Sequence, residues 1–185
     1  MLDENQILAN YQKWLSLVSR ICGESVSSIL DVKLGNRIAT CPLDVQRENF
    51  GYAGGLVDFS LKTATEIKKL TDFGAARSLI KIALIHELGK LGTLENELFL
   101  VQDSEWHKEK LGQDFKYNAS CQKISLFHRT LLFLQESGCT LSANELIAIS
   151  TAQGMHLSEN SFYGNCLPLE AIALQMSRML VQRHT

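Results

Sequence analysis

Between Leu79 and Ile85 the chain reads Leu-Ile-Lys-Ile-Ala-Leu-Ile, apolar around nearly the whole circumference of a helix. A helix of that kind is stable in water only when other elements pack on every side of it. The pattern predicts a central buried helix from about Ala75 to Leu88, stopped by Gly89 and Gly92, with Lys90 beside its last carbonyls. The rest of the sequence therefore has to supply a surrounding layer.

Most of that layer reads as further helices. Asp3 can cap a first helix whose apolar positions Ile7, Leu8, Tyr11, Trp14, Leu15 and Val18 share one face, and Gly23 ends it. A short apolar turn at Ile29-Leu30 is followed from Lys33 to Gly55 by one proline, four glycines and mixed charges, which predicts an ordered loop. Gly54-Gly55 lets backbones approach closely at the start of the next helix, Leu56 to Leu70. Thr93 to Gln122 predicts a short hairpin and a short helix around Trp106 to Leu111. Ile124 to Ser137 is helical up to Gly138, and Ser142-Ala143-Asn144-Glu145 is a capping box for a helix reaching about Thr151. Pro168 sits in the first turn of a terminal helix carrying Ile172, Leu174, Met176, Met179 and Leu180. With no repeat, low-complexity tract or linker, the expectation is an all-α bundle forming one domain over residues 1–185, with 1–30 as an N-terminal helical extension and a small hairpin insertion.

Composition narrows the function classes. A net charge of -2 gives no electrostatic reason to expect nucleic acid as partner. The Met1 to Glu4 start lacks a secretory flank and no apolar run reaches membrane-spanning length, so a cytoplasmic protein without membrane contact is expected. Cys22, Cys41, Cys121, Cys139 and Cys166 form an odd, scattered set without a Cys-x-x-Cys pair, which argues for reduced thiols, mostly core filler. Lys68-Lys69 and the trio Lys108, Lys110 and Lys116 beside Trp106, Phe115 and Tyr117 read as solvated faces or as a phosphate- or protein-binding surface.

The chemistry concentrates where the central helix ends, at His86-Glu87-Leu88-Gly89-Lys90. An imidazole and a carboxylate at a glycine-broken helix end can point together into a cleft and suit a metal. The segment Ile82 to Lys90 resembles the His-Asp motif of the HD superfamily of metal-dependent phosphohydrolases, with Glu87 in place of aspartate. Tyr52 to Leu61 resembles that family's glycine-glycine-leucine motif. Trp106 to Tyr117, Arg129 to Leu134, and Leu141 to Ile149 followed by Gly154 are similar to segments of small HD-like proteins of large tailed phages, so the likeness spans roughly Pro42 to Leu180.

The resemblance implies a metal shell that this chain lacks. Its first histidine falls on Phe59; the next falls around Leu126; the one before Gly154 falls on Ala152 or Gln153; and the last histidine and aspartate fall near Gln175 and Arg178. A guanidinium at 178 can pair with Glu87 and take the place of the ion. The cleft expected from the resemblance is Phe59, His86, Glu87, Lys90, Ala152, Gln175 and Arg178. The leading expectation is a catalytically degenerate domain, phage-encoded and in a host cytoplasm, acting as a binding, regulatory or assembly module with a protein partner and no cofactor. Two alternatives stand beside it: a divergent phosphohydrolase holding a divalent metal on His86 and Glu87 and acting on a nucleotide or phosphate ester, and a sensor that binds a nucleotide through Arg178 and Lys90 without cleaving it. His156, in the loop after Ala152, offers a substitute ligand, whereas His107, His128 and His184 read as surface residues.

Overall fold

The computed structural model describes residues 2–70, 75–164 and 166–183. Asp3 accepts a hydrogen bond from the Gln6 amide while the Gln6 side chain accepts from the Asp3 amide. This box opens α1, Glu4–Cys22, and Gly23 closes it with a positive φ. The second helix, α2, runs Glu24–Thr40, so the turn at Ile29-Leu30 and the loop expected from Lys33 are corrected to helix as far as Thr40. Polar residues interrupt its apolar positions and blur the periodicity, yet Val26, Leu30, Leu34 and Ile38 all bury against the core. Tertiary packing overrides the glycine at 35 and the mixed charges. Only residues 41–54 remain a connection, containing a 3-10 turn at Arg47–Asn49.

The next elements are α3 (Gly55–Lys68) and α4 (Ala76–Ile85). A Cβ at Gly55 would lie 2.0 Å from the Phe50 carbonyl oxygen, so only glycine lets α3 start this close to the preceding turn. The central helix is shorter than its sequence pattern: it ends at Ile85, His86 caps it, and a 3-10 turn at Leu88–Leu91 follows. Beyond it come β1 (Phe99–Val101), α5 (Glu105–Leu111) and β2 (Phe115–Tyr117), the strands pairing antiparallel with Phe99 opposite Tyr117. The expected hairpin and short helix are both present, with the helix inserted between the strands. The remaining helices are α6 (Leu126–Ser137), α7 (Ala143–Thr151) with the Ser142 and Glu145 capping box, and α8 (Leu169–Arg183).

Among the described residues this makes eight helices and one two-stranded sheet, an all-α architecture. Helix α4 is the centre: Leu79, Ile82, Ala83, Leu84 and Ile85 are buried, and α1, α3, α7 and α8 pack around it. Trp14 of α1 reaches in to donate its indole N–H to the Leu84 carbonyl at 3.0 Å, which satisfies the ring's polar edge inside the core. No helix is long and apolar enough to cross a membrane among the described residues.

The turn after α4 is pinned to α6. Thr130 Oγ1 accepts the Gly89 amide at 3.0 Å, and a Cβ at residue 89 would lie 2.3 Å from the Leu126 carbonyl oxygen. Because the obstacle is backbone, it cannot swing aside. Gly89→Ala is expected to destabilise the fold by about 1–3 kcal/mol, the cost of overpacking a closed contact, measured as a lower urea midpoint at unchanged slope.

Candidate functional site

The carboxylate of Glu87 sits at the end of α4, fully buried. Its Oε1 accepts a short hydrogen bond from Arg178 Nη1 of α8 and a second, at 3.0 Å, from the Gln153 side-chain amide that follows α7. Arg178 is itself buried, and its guanidinium carbon stands 5.3 Å from the centre of the Phe59 ring, within cation-π range. The Phe59 ring also packs against the His86 imidazole at 6.0 Å. Helices α3, α4 and α8 and the end of α7 thus deliver Phe59, His86, Glu87, Arg178 and Gln153 to one point.

His86 turns its ring toward its own helix. Nδ1 lies 3.0 Å from both the Ile82 and Ala83 carbonyl oxygens, so it carries the proton and donates. Nε2 is then the acceptor; it has no hydrogen-bond partner among the described residues and stands 3.7 Å from Glu87 Oε1. Burial, with the Arg178 charge, pushes the imidazole down to about 4, so it is neutral near pH 7. Burial alone would push the Glu87 carboxyl up, but the Arg178 guanidinium, aided by His86 and Lys90, overrides it and holds the group well below the usual carboxylate range.

Other expected cleft residues lie at the edge. Gln175 donates to the Thr151 carbonyl at 3.0 Å and so ties α8 to α7, and Ala152 is buried beside it without a polar role. Lys90 forms no hydrogen bond or ion pair with Glu87 among the described residues; it lines a separate cavity of about 370 Å³ with Arg37, Cys41 and Phe99. His156 folds back over Gly154, where a Cβ would meet its Nδ1 at 2.7 Å. His107 and His128 each bond an N-cap serine, Ser104 and Ser125, and His184 lies outside the described residues. Of the lysine clusters, Lys69, Lys108 and Lys116 pair with Glu66, Glu105 and Asp103.

The expected cleft named Ala152 over its neighbour Gln153, and it is Gln153 that reaches Glu87. Sequence reasoning passed over Thr130, whose hydroxyl accepts the Gly89 amide and shares its one hydrogen between the Leu126 carbonyl at 3.0 Å and the His86 carbonyl at 3.3 Å. A threonine within an amphipathic helix carries no signal that singles it out.

The residues do not fit a divalent metal. An ion needs several oxygen or nitrogen ligands converging on one point. Here a guanidinium occupies one carboxylate oxygen of Glu87, Oε1; the other, Oε2, and His86 Nε2 are buried without hydrogen-bond partners among the described residues, but those two atoms are too few for a shell, and the described residues contain no group of three or more histidine, cysteine, aspartate or glutamate side chains able to hold an ion. Fold and site together define a mostly helical domain with a closed ionic cluster at its centre. No family model, curated protein or solved structure matches the chain.

Two outcomes follow from the cluster. Arg178→Met strands a buried carboxylate and is expected to cost about 3–5 kcal/mol, while Glu87→Gln together with Arg178→Met should recover most of the loss in urea denaturation. Below the ordinary imidazole value of 6.5 the unfolded chain binds a proton at residue 86 that the folded protein refuses until about 4. Stability should therefore fall as pH falls through that window, by up to about 1.4 kcal/mol per pH unit from this residue. Stability measured from pH 7 to pH 4 in His86→Asn should show a correspondingly flatter slope than the wild type.

Proposed function

We propose that this protein is an HD-like helical domain whose metal cleft has become a structural ion pair, and that it works as a binding or assembly module rather than a hydrolase. The observation that carries this reading is the Arg178 guanidinium on Glu87. In a metal-dependent phosphohydrolase the carboxylate at that helix end would hold an ion that polarises a phosphoryl oxygen or activates water. A fixed cation from α8 already neutralises this carboxylate, and both His86 and Glu87 are sealed from solvent. No substrate atom can reach them without opening the core.

A role in protein binding draws on the outer face of α8. Leu169, Ile172, Met176 and Met179 recur at helical spacing and are all substantially exposed. A methionine-containing apolar stripe is a usual feature of surfaces that meet another protein.

Elemental analysis tests the reading, after incubation with manganese, iron, magnesium or zinc and removal of the excess. The wild type is expected to retain no stoichiometric metal, and Phe59→His with Arg178→Asp is expected to gain affinity, read beside a circular dichroism check that the variant is folded. Near-stoichiometric metal in the wild type that is lost in His86→Ala would overturn the proposal in favour of a phosphohydrolase.

A further inference from the structure

Arg129 is a second buried arginine, and its surroundings are the reverse of those of Arg178. It is 9% exposed, and no carboxylate pairs with it among the described residues. Nη1 lies 3.7 Å from the Cys121 sulfur, and Nε is buried without a hydrogen-bond partner among the described residues. The Cys121 thiol in turn leans on the Asn96 carbonyl at 3.8 Å, so it offers the guanidinium only a weak, neutral acceptor. A guanidinium stays charged at every pH at which the protein is folded, and removing it from water against a thiol is costly.

Its place on α6 sharpens the anomaly. Helical side chains lean toward the helix N-terminus, so Arg129 reaches back over the first turn, on the face it shares with Ser125. Ser125 Oγ covers the His128 amide, but the Leu126 and Phe127 amides have no acceptor within the helix. The first turn contains no acidic residue. A permanent cation thus adds to the positive end of the helix dipole with no ion pair to offset it among the described residues. Arg129 and Ser125 line an open cavity of about 540 Å³ together with Tyr117, Asn118 and the exposed Lys123. Asp44, whose charge reaches the Tyr117 hydroxyl, forms no ion pair with Arg129 among the described residues.

We infer that this cavity, at the N-terminal end of α6, binds a phosphate monoester, with Arg129 and Lys123 supplying charge and the Tyr117 hydroxyl a further donor. One guanidinium edge satisfies a carboxylate; the three terminal oxygens of a dianionic phosphate make use of the remaining donors as well. The proposal is independent of the Glu87 cluster, because no residue lining this cavity belongs to that cluster.

Inorganic phosphate is the probe, compared with acetate and chloride at matched ionic strength by thermal melting and amide chemical shifts. Phosphate is expected to raise the melting temperature saturably and to shift the Ser125, Leu126 and Phe127 amides, with acetate and chloride doing neither. Arg129→Met should raise the melting temperature without phosphate, because it removes an uncompensated buried charge, and should abolish the response to phosphate. Lys123→Gln, on the surface, should weaken phosphate binding by about tenfold while leaving the ligand-free melt unchanged. A purely structural Arg129 gives the opposite first result, a lower ligand-free melting temperature. The inference is overturned by a wild type that does not respond, by an equal response to acetate, or by a phosphate response that survives Arg129→Met. If Arg129→Met does not fold, an unweakened response in Lys123→Gln overturns it.

Discussion

A single carboxylate organises the interior. Glu87 is ionised in a place that water does not reach, held there by Arg178 and Gln153, which both donate to Oε1, while Oε2 has no hydrogen-bond partner among the described residues. The contact joins residues far apart in the chain, so α8 has to dock on α4 before Glu87 can be buried as an anion. Hydrophobic burial around α4 supplies most of the driving force, but apolar faces tolerate sliding. The ion pair does not, since a shift of α8 by one residue would take the guanidinium away from the carboxylate. It therefore acts mainly on which packing is adopted, more than on how stable that packing is.

The neighbouring histidine solves a different problem at the same helix end. A helix leaves its last carbonyls without partners, and burial makes that expensive. His86 answers by directing Nδ1–H at the Ala83 carbonyl and at the Ile82 carbonyl, which also accepts the His86 amide, and Thr130 of α6 accepts the Gly89 amide while its one hydroxyl hydrogen is shared between the Leu126 and His86 carbonyls. The imidazole has to be neutral and turned inward for this. That orientation leaves Nε2 as an isolated acceptor near Glu87, where a metal site would need it joined by further ligands.

Helices with a clean apolar face or an explicit cap were legible in the sequence. Asp3 and Ser142 marked two starts, Gly23 and Gly138 two ends, and the apolar run before His86 marked the centre. Helix α2 was not legible, because its buried positions are separated by charges and a glycine, and only contacts with α1, α3 and α6 show which face is inside. At the site, the pairing of Glu87 with Arg178 was an expectation drawn from the resemblance, and the contact itself is present in the structure. Lys90 was placed with them in the cleft the resemblance implies, yet the 3-10 turn after Glu87 carries it to a different cavity. A change of helical type rotates side chains by more than sequence spacing reveals.

The two buried arginines show why residue type alone does not assign a role. Arg178 and Arg129 have the same permanent charge and almost the same exposure, and each lies on a helix with alternating apolar and polar positions. What separates them is the company each keeps. Arg178 faces a carboxylate and an aromatic ring that together replace the water it lost, which closes its chemistry within the fold. Arg129 faces a thiol and the positive end of its own helix beside an open cavity, with no ion pair among the described residues. In a folded protein, an unanswered buried charge next to an opening is more informative about function than a well-paired one at the centre.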